Sequence, residues 1–131
     1  MEVTTLGSVA AMVQGQVDEG STSAQVGPDV VVDSRLVTPG ALFVALGGER
    51  TDGHRFVQAA LDAGAGGALV AQEPGPNRVL VPSTAQALAD LAREVVVANP
   101  RLTVLGITGS SGKTSTKDLV AQVLETAGET V

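Results

Sequence analysis

The apolar positions of this chain change period several times, and the changes mark out its elements. Leu6, Val9, Ala10 and Val13 recur at helical spacing behind Thr4 and Thr5, either of which can cap a short helix that Gly15 can end. Residues 20–28, rich in Ser, Thr and Gly, read as a loop. Val30-Val31-Val32 is a short β-branched run, a strand leading into Asp33-Ser34-Arg35. After the turn signal Pro39-Gly40, the run Ala41-Leu42-Phe43-Val44-Ala45-Leu46 is apolar at every position, as in a strand buried on both faces. A polar loop follows over 47–54. Phe56, Ala59, Ala60 and Ala63 then return to helical spacing, with Gly64 where a C-terminal cap glycine belongs. Residues 66–71 and 78–81 read as two more strands, separated by a proline-containing turn. Ser83 or Thr84 opens a helix with Ala87, Leu88, Leu91, Val95 and Ala98 on its apolar face, and Asn99-Pro100 breaks it.

Strands that alternate with helices predict an α/β protein with a small mixed or parallel sheet and flanking helices. The natural boundary is Asn99-Pro100, which gives a domain over 1–99 and a second piece over 100–131. That piece begins with an apolar run, 102–107, expected as a strand. It continues through a Gly/Ser-rich turn into a helix carrying Leu119, Val120, Val123 and Leu124 toward Gly128. One strand and one helix cannot cover a sheet face or pair both strand edges. The expectation is therefore an incomplete domain, either mobile or pairing its strand edge with the first domain or with a second copy, as in a strand-edge dimer.

The turn itself, Thr108-Gly109-Ser110-Ser111-Gly112-Lys113-Thr114-Ser115, carries the most specific chemistry in the chain. Strand, glycine-rich turn and helix start in that order build a phosphate-binding loop. Glycines allow positive φ, the helix start supplies unpaired N–H donors, Lys113 can reach terminal phosphates and the Thr114 hydroxyl can ligate Mg²⁺. The strict G-x-x-x-x-G-K-[ST] pattern asks for glycine at 107, where Ile107 stands; the glycines fall at 106, 109 and 112. The bland alternative is a Gly/Ser turn followed by a surface lysine. Gly66-Gly67 precede their strand instead of following it, which excludes a dinucleotide-binding reading.

Composition narrows the field. The 131 residues hold two Phe and no Trp or Tyr, so the core must be aliphatic. A net charge of −6 with scattered Lys and Arg argues against a nucleic-acid surface. Zero cysteines remove disulfides and thiolate metal sites. Met1-Glu2-Val3-Thr4 lacks the basic start of a signal peptide, and no apolar run reaches membrane-spanning length. A soluble cytoplasmic protein without membrane insertion is expected.

Two sets of residues carry a family resemblance. Asp33-Ser34-Arg35, the run from Pro39 through Leu46, Gly48-Glu49-Arg50, Asp52-Gly53-His54 and Phe56 resemble the N-terminal domain of the Mur ligases, the ATP-dependent amide-forming enzymes of cell-wall precursor synthesis. The loop over 108–114 resembles their ATP-binding motif, with Ser111 where Asn is usual and Ser115 where a second Thr is common. The resemblance implies that the incomplete domain over 100–131 is the start of a truncated P-loop ATPase domain. Gly-Glu-Arg followed by Asp-Gly-His is most similar to the members that add D-alanyl-D-alanine to the UDP-N-acetylmuramoyl tripeptide. The runner-up is the sister ligase that adds the third amino acid. Family members are more than three times this length, so the acidic metal ligands and the domain receiving the amino acid are expected elsewhere.

The resemblance implies a reaction in which a substrate carboxylate takes the γ-phosphate of ATP and an amine displaces the resulting acyl phosphate. Lys113 would neutralise phosphate charge as the catalytic residue. Thr108, Gly109, Ser110, Ser111, Gly112, Lys113, Thr114 and Ser115 would bind ATP, and Thr114 would hold Mg²⁺. Ser34 and Arg35 would lie near the uridine of a UDP-N-acetylmuramoyl peptide, and Gly48, Glu49, Arg50 and Thr51 near its pyrophosphate, with Arg50 the cation there. Without the resemblance, Asp33-Ser34 reads equally as a turn cap, Arg35 as a solvated ion-pair partner and Arg50 as an exposed loop charge. His54, the sole histidine, makes no metal site and is expected to order its loop or cap the next helix, with Asp52 as the cap acceptor. One Thr hydroxyl cannot satisfy an octahedral Mg²⁺, so the chain alone is expected to be inactive. A different class remains open: a self-contained, non-enzymatic nucleotide- or phosphate-binding module. A compact P-loop kinase is disfavoured, because no acidic strand or lid follows the loop.

Overall fold

The computed structural model describes residues 1–48, 51–126, 128 and 130. It divides into two compact units, Met1–Pro100 and Arg101–Val131.

In the first unit β1 (Thr4–Thr5) runs into α1 (Leu6–Met12), and the Thr5 hydroxyl caps α1 by accepting the Ser8 N–H at 3.2 Å. β2 (Gln16–Val17), β3 (Gln25–Val26), β4 (Val30–Val31) and β5 (Leu42–Val44) follow, then α2 (Val57–Asp62), β6 (Gly67–Val70), β7 (Arg78–Leu80) and α3 (Thr84–Ala98). The five-stranded sheet has the order β2-β7-β6-β5-β4. β4, β5, β6 and β7 are mutually parallel, whereas β2 is antiparallel to β7. β1 and β3 form a separate antiparallel pair.

The sheet is covered on both faces, as its uninterrupted apolar strands require. Leu42 and Val44 of β5 join Leu69 and Val79 in one core, against Leu6 and Val9 of α1 and Ala87 and Leu91 of α3. Phe43 and Ala45, one residue out of phase, point to the other face and pack with Val57 and Ala60 of α2. A Cβ on Gly67 would stand 2.5 Å from Leu6 Cδ2. The glycine at the start of β6 thus lets α1 lie close on the sheet.

Several sequence expectations are corrected here. The loop over 20–28 contains β3, and a 3-10 turn, Glu19–Ser21, lies across its start. β2 was not anticipated either. β2 and β3 are two-residue strands, each a Gln-Val pair with no apolar run to mark it, so only their partners define them. The helix expected from Arg55 opens as a 3-10 turn, Gly53–Phe56, before α2 begins. Of the apolar face read from spacing only Ala60 is buried: Phe56 is 40% exposed, Ala59 and Ala63 are exposed, and the core-facing partner of Ala60 is Val57. On α3, Ala87 and Leu91 are buried but Ala98 is exposed.

The second unit contains α4 (Lys113–Leu124), none of whose residues is buried. Residues 102–107, expected as a strand, form no ladder among the described residues. A strand exists by pairing, and none of the described strands lies in this unit.

The close approach of α1 can be tested by a double-mutant cycle. Gly67→Ala is expected to cost about 1–3 kcal/mol in urea unfolding by overpacking. The cost should shrink in a Leu6→Ala background, giving a coupling of about 1 kcal/mol; strictly additive effects would contradict the packing.

Candidate functional site

A cleft of about 590 Å³ opens where β4 and β5 end. The carboxyl ends of parallel strands are where α/β sheets present ligand-binding loops. Val32, Asp33, Ser34 and Arg35 follow β4 along one wall. Leu46, just past β5, forms part of the floor, and Thr51, Gly53 and Phe56 come from the loop beyond it. Ser34, Arg35 and Thr51, far apart in sequence and assigned to one substrate, are thus brought together. Gly48 is exposed nearby and does not line the cleft. Glu49 and Arg50 lie outside the described residues. Sequence reasoning had not assigned Val32, Asp33, Leu46, Gly53 or Phe56 to the site. The available signal was Phe56, one of only two aromatic residues in the chain.

The wall after β4 is shaped by a charge-assisted turn. Asp33 caps the 3-10 turn Ser34–Leu36, its Oδ1 accepting the Arg35 N–H at 3.0 Å. The Arg35 side chain folds back on the same carboxylate: Nε donates to Oδ1 at 2.9 Å and Nη2 to Oδ2 at 2.6 Å. These hydrogen bonds, the side-chain ones foremost, hold the Asp33 carboxyl at about 2. Arg35, expected near the uridine or else as a solvated ion-pair partner, lines the cleft and is paired with Asp33, while its side chain remains 85% exposed. Its fork geometry fixes the turn beside Ser34.

The loop opposite is held by backbone. The Gly53 N–H donates to the Leu46 carbonyl at 2.9 Å, and a Cβ on Gly53 would stand 2.8 Å from both Leu46 N and O. Only glycine permits that approach. Asp52 caps the 3-10 turn by accepting the His54 N–H at 3.0 Å, and the His54 imidazole stands 2.6 Å from the same oxygen. The backbone bond first, then the imidazole, lowers the Asp52 carboxyl from its ordinary value. Val32 and Phe56 leave apolar surface on the cleft, at 53% and 40% exposure. The chemistry on offer is a partly apolar cleft lined by the Ser34 and Thr51 hydroxyls and by the Asp33–Arg35 carboxylate–guanidinium pair.

In the second unit, Gly112 sits at φ +75°, immediately before α4, with no heavy atom within 4 Å of where a Cβ would stand. No side chain caps α4, so its first N–H groups point into an open turn. Lys113 Nζ donates to the Gly109 carbonyl, folding the cation over the loop. Thr108, Gly109, Ser110, Ser111, Gly112, Thr114 and Ser115 are all exposed. This cradle fits a polyphosphate. For Mg²⁺ it offers the Thr114 hydroxyl, and Asp118 one turn on is paired with Lys117 at 2.9 Å. Among the described residues, no three His, Cys, Asp or Glu side chains cluster as a metal-ligand set.

The Asp33–Arg35 clasp has a direct consequence. A carboxyl depressed to about 2 contributes stability above its unfolded value and loses it as pH falls through the folded one. The Asp33 carboxyl resonance is expected to titrate near 2, and Arg35→Ala should move the midpoint up toward the ordinary carboxylate range. An unchanged midpoint in the variant would contradict the clasp.

Comparison with known proteins identifies the family. A family model described as "Mur ligase family, catalytic domain" matches residues 29–96. The UDP-N-acetylmuramoyl-tripeptide–D-alanyl-D-alanine ligase of Mycobacterium leprae is 42% identical over 138 aligned positions, covering 86% of this chain and 27% of that protein. The UDP-N-acetylmuramoyl-L-alanyl-D-glutamate–2,6-diaminopimelate ligase of Chlorobaculum tepidum is 36% identical, covering 92% of this chain and 25% of that one. Among solved structures, MurF from Acinetobacter baumannii superposes with a TM-score of 0.75 at 30% identity, over 96% of this chain and 28% of that chain. MurF ligase from Thermotoga maritima in complex with ADP gives 0.60 at 38% identity, over 75% of this chain and 23% of that chain. The chain therefore spans less than a third of the length of the proteins it matches. The family match over residues 29–96, the relatives at 36% and 42% identity and the shared fold lead to one conclusion: this chain belongs to the Mur ligase family.

Proposed function

We propose that the protein acts in peptidoglycan precursor synthesis as an ATP-dependent ligase adding D-alanyl-D-alanine to UDP-N-acetylmuramoyl tripeptide, and that Met1–Pro100 receives the UDP end of that substrate. The observation that carries this reading is the cleft in which the Ser34–Leu36 turn and the loop through Thr51 face each other. The uracil would lie against Phe56 and Val32, with the Ser34 hydroxyl at its polar edge. The pyrophosphate would run toward Gly48 and Thr51, beside which the sequence has Arg50, the cation that the family resemblance implies there. The relatives named for D-alanyl-D-alanine addition, and the Gly-Glu-Arg and Asp-Gly-His signatures, favour that acceptor. The sister reaction, addition of the third amino acid, is supported by the diaminopimelate ligase match, and acceptor-dependent ADP release by the whole protein distinguishes the two.

In the second unit, the N–H groups of 109–114 would cradle the ATP phosphates. Lys113, turning from the Gly109 carbonyl onto a phosphate oxygen, would neutralise charge that develops during transfer. Ser115 would support the loop. Bound Mg²⁺ would supply further charge neutralisation, held in part by the Thr114 hydroxyl. Mg²⁺ usually takes carboxylates besides phosphates and waters, and no carboxylate-rich ligand cluster occurs among the described residues, so the 131-residue chain alone should not turn over.

Calorimetric titration tests both halves. UDP is expected to bind the chain, and Arg50→Ala to weaken it about tenfold or more, as loss of a charge-assisted hydrogen bond implies. Ser34→Ala should weaken it severalfold. Mg-ATP should bind weakly, with no D-alanyl-D-alanine-dependent ADP release. Tight ATP binding without a UDP response would favour a self-contained nucleotide-binding module instead.

A further inference from the structure

The loop over 51–56 is fastened to the sheet at a second point besides Gly53. The His54 side chain, only 11% exposed, reaches past its own loop to the end of β6. There the Ala71 backbone N–H donates to His54 Nε2 at 2.8 Å. An amide N–H can only donate, so Nε2 must present its lone pair. The imidazole proton then sits on Nδ1 and is donated to Asp52 Oδ1, 2.6 Å away. Asp52 is fixed from β6 as well, its Oδ2 accepting from Gln72 Nε2 at 3.2 Å. Asp52, His54, Ala71 and Gln72 thus link the cleft loop to the neighbouring strand, yet none of the four lines the cleft.

We propose that His54 is a positioning residue: in its Nδ1–H tautomer it latches the loop to the end of β6 and so holds Thr51 and Phe56 ready for the uridine nucleotide. This role rests on the reading of the cleft as a uridine site. With the latch closed, the loop is ordered before the ligand arrives. With it open, ligand binding must supply the ordering free energy, and affinity falls. What matters is a hydrogen-bond acceptor at the Nε2 position, not the bulk of the ring. A glutamine side chain can place its carbonyl oxygen there. Asparagine reaches only the Nδ1 position, keeping the local bond to Asp52 and losing the long one to Ala71.

The test compares the unmodified chain with His54→Gln and His54→Asn, using UDP as the probe. His54→Gln is expected to bind UDP within about twofold of the unmodified chain, and His54→Asn about five- to tenfold more weakly, in line with loss of one neutral hydrogen bond. The Ala71 amide should resist hydrogen exchange in the unmodified chain and in His54→Gln, and exchange readily in His54→Asn. Nitrogen NMR of the unmodified chain should show His54 protonated at Nδ1 and bare at Nε2, a reading independent of how either variant folds. Equal affinities in the two variants, or a proton on Nε2, would overturn the latch while leaving the cleft reading intact. Failure of the unmodified chain to bind UDP would overturn the cleft reading, and the latch's coupling to ligand with it.

Discussion

The carboxyl end of β5 is the point on which the first unit depends. β5 pairs in parallel with β4 on one side and β6 on the other, and its three residues are fully buried. Their alternation supplies both cores, Leu42 and Val44 to one face and Phe43 to the other. At its end the backbone holds the surroundings in place. The Ala45 carbonyl accepts the buried Thr84 hydroxyl at 2.8 Å, tying the start of α3 to the sheet. The next carbonyl, of Leu46, accepts the Gly53 N–H and sets the floor of the cleft. Buried carbonyls left without such donors would be costly, so the strand that builds the core also fixes the site.

Electrostatics divide the labour between the cleft walls. Asp33 and Arg35 satisfy each other across two residues, which makes their turn rigid and locally neutral. The turn therefore offers shape and a hydroxyl more than charge. In a chain of net charge −6, the proposed affinity of the cleft for an anionic nucleotide therefore rests on a cation outside this turn, and Arg50 is the residue proposed for it.

What the sequence made legible follows from period and length. β5 and α3 were readable because an unbroken apolar run and a long helical repeat each have one physical explanation. β1, β2 and β3 were not, since none carries an apolar run like the Val30–Val32 that marked the equally short β4, and their pairing is wholly tertiary. Ser34, Arg35 and Thr51 could be grouped only through family resemblance, because spacing alone does not bring turns after different strands together. The α2 face was misread for a local reason: the Asp52 cap opens a 3-10 turn through Phe56, so α2 begins only at Val57, and Val57 and Ala60 face the core while Phe56, Ala59 and Ala63 do not. The His54–Ala71 bond joins residues with no local pattern between them, and only the folded sheet makes it visible.

The central claim is that the ends of β4 and β5 form the receptor for a uridine diphosphate group. Amide chemical-shift mapping of the chain with UDP tests it most directly. Shifts concentrated at Ser34, Arg35, Thr51, Gly53 and Phe56, with 109–115 unmoved, are the predicted result. Shifts confined to 109–115, or no saturable shifts at all, would contradict it.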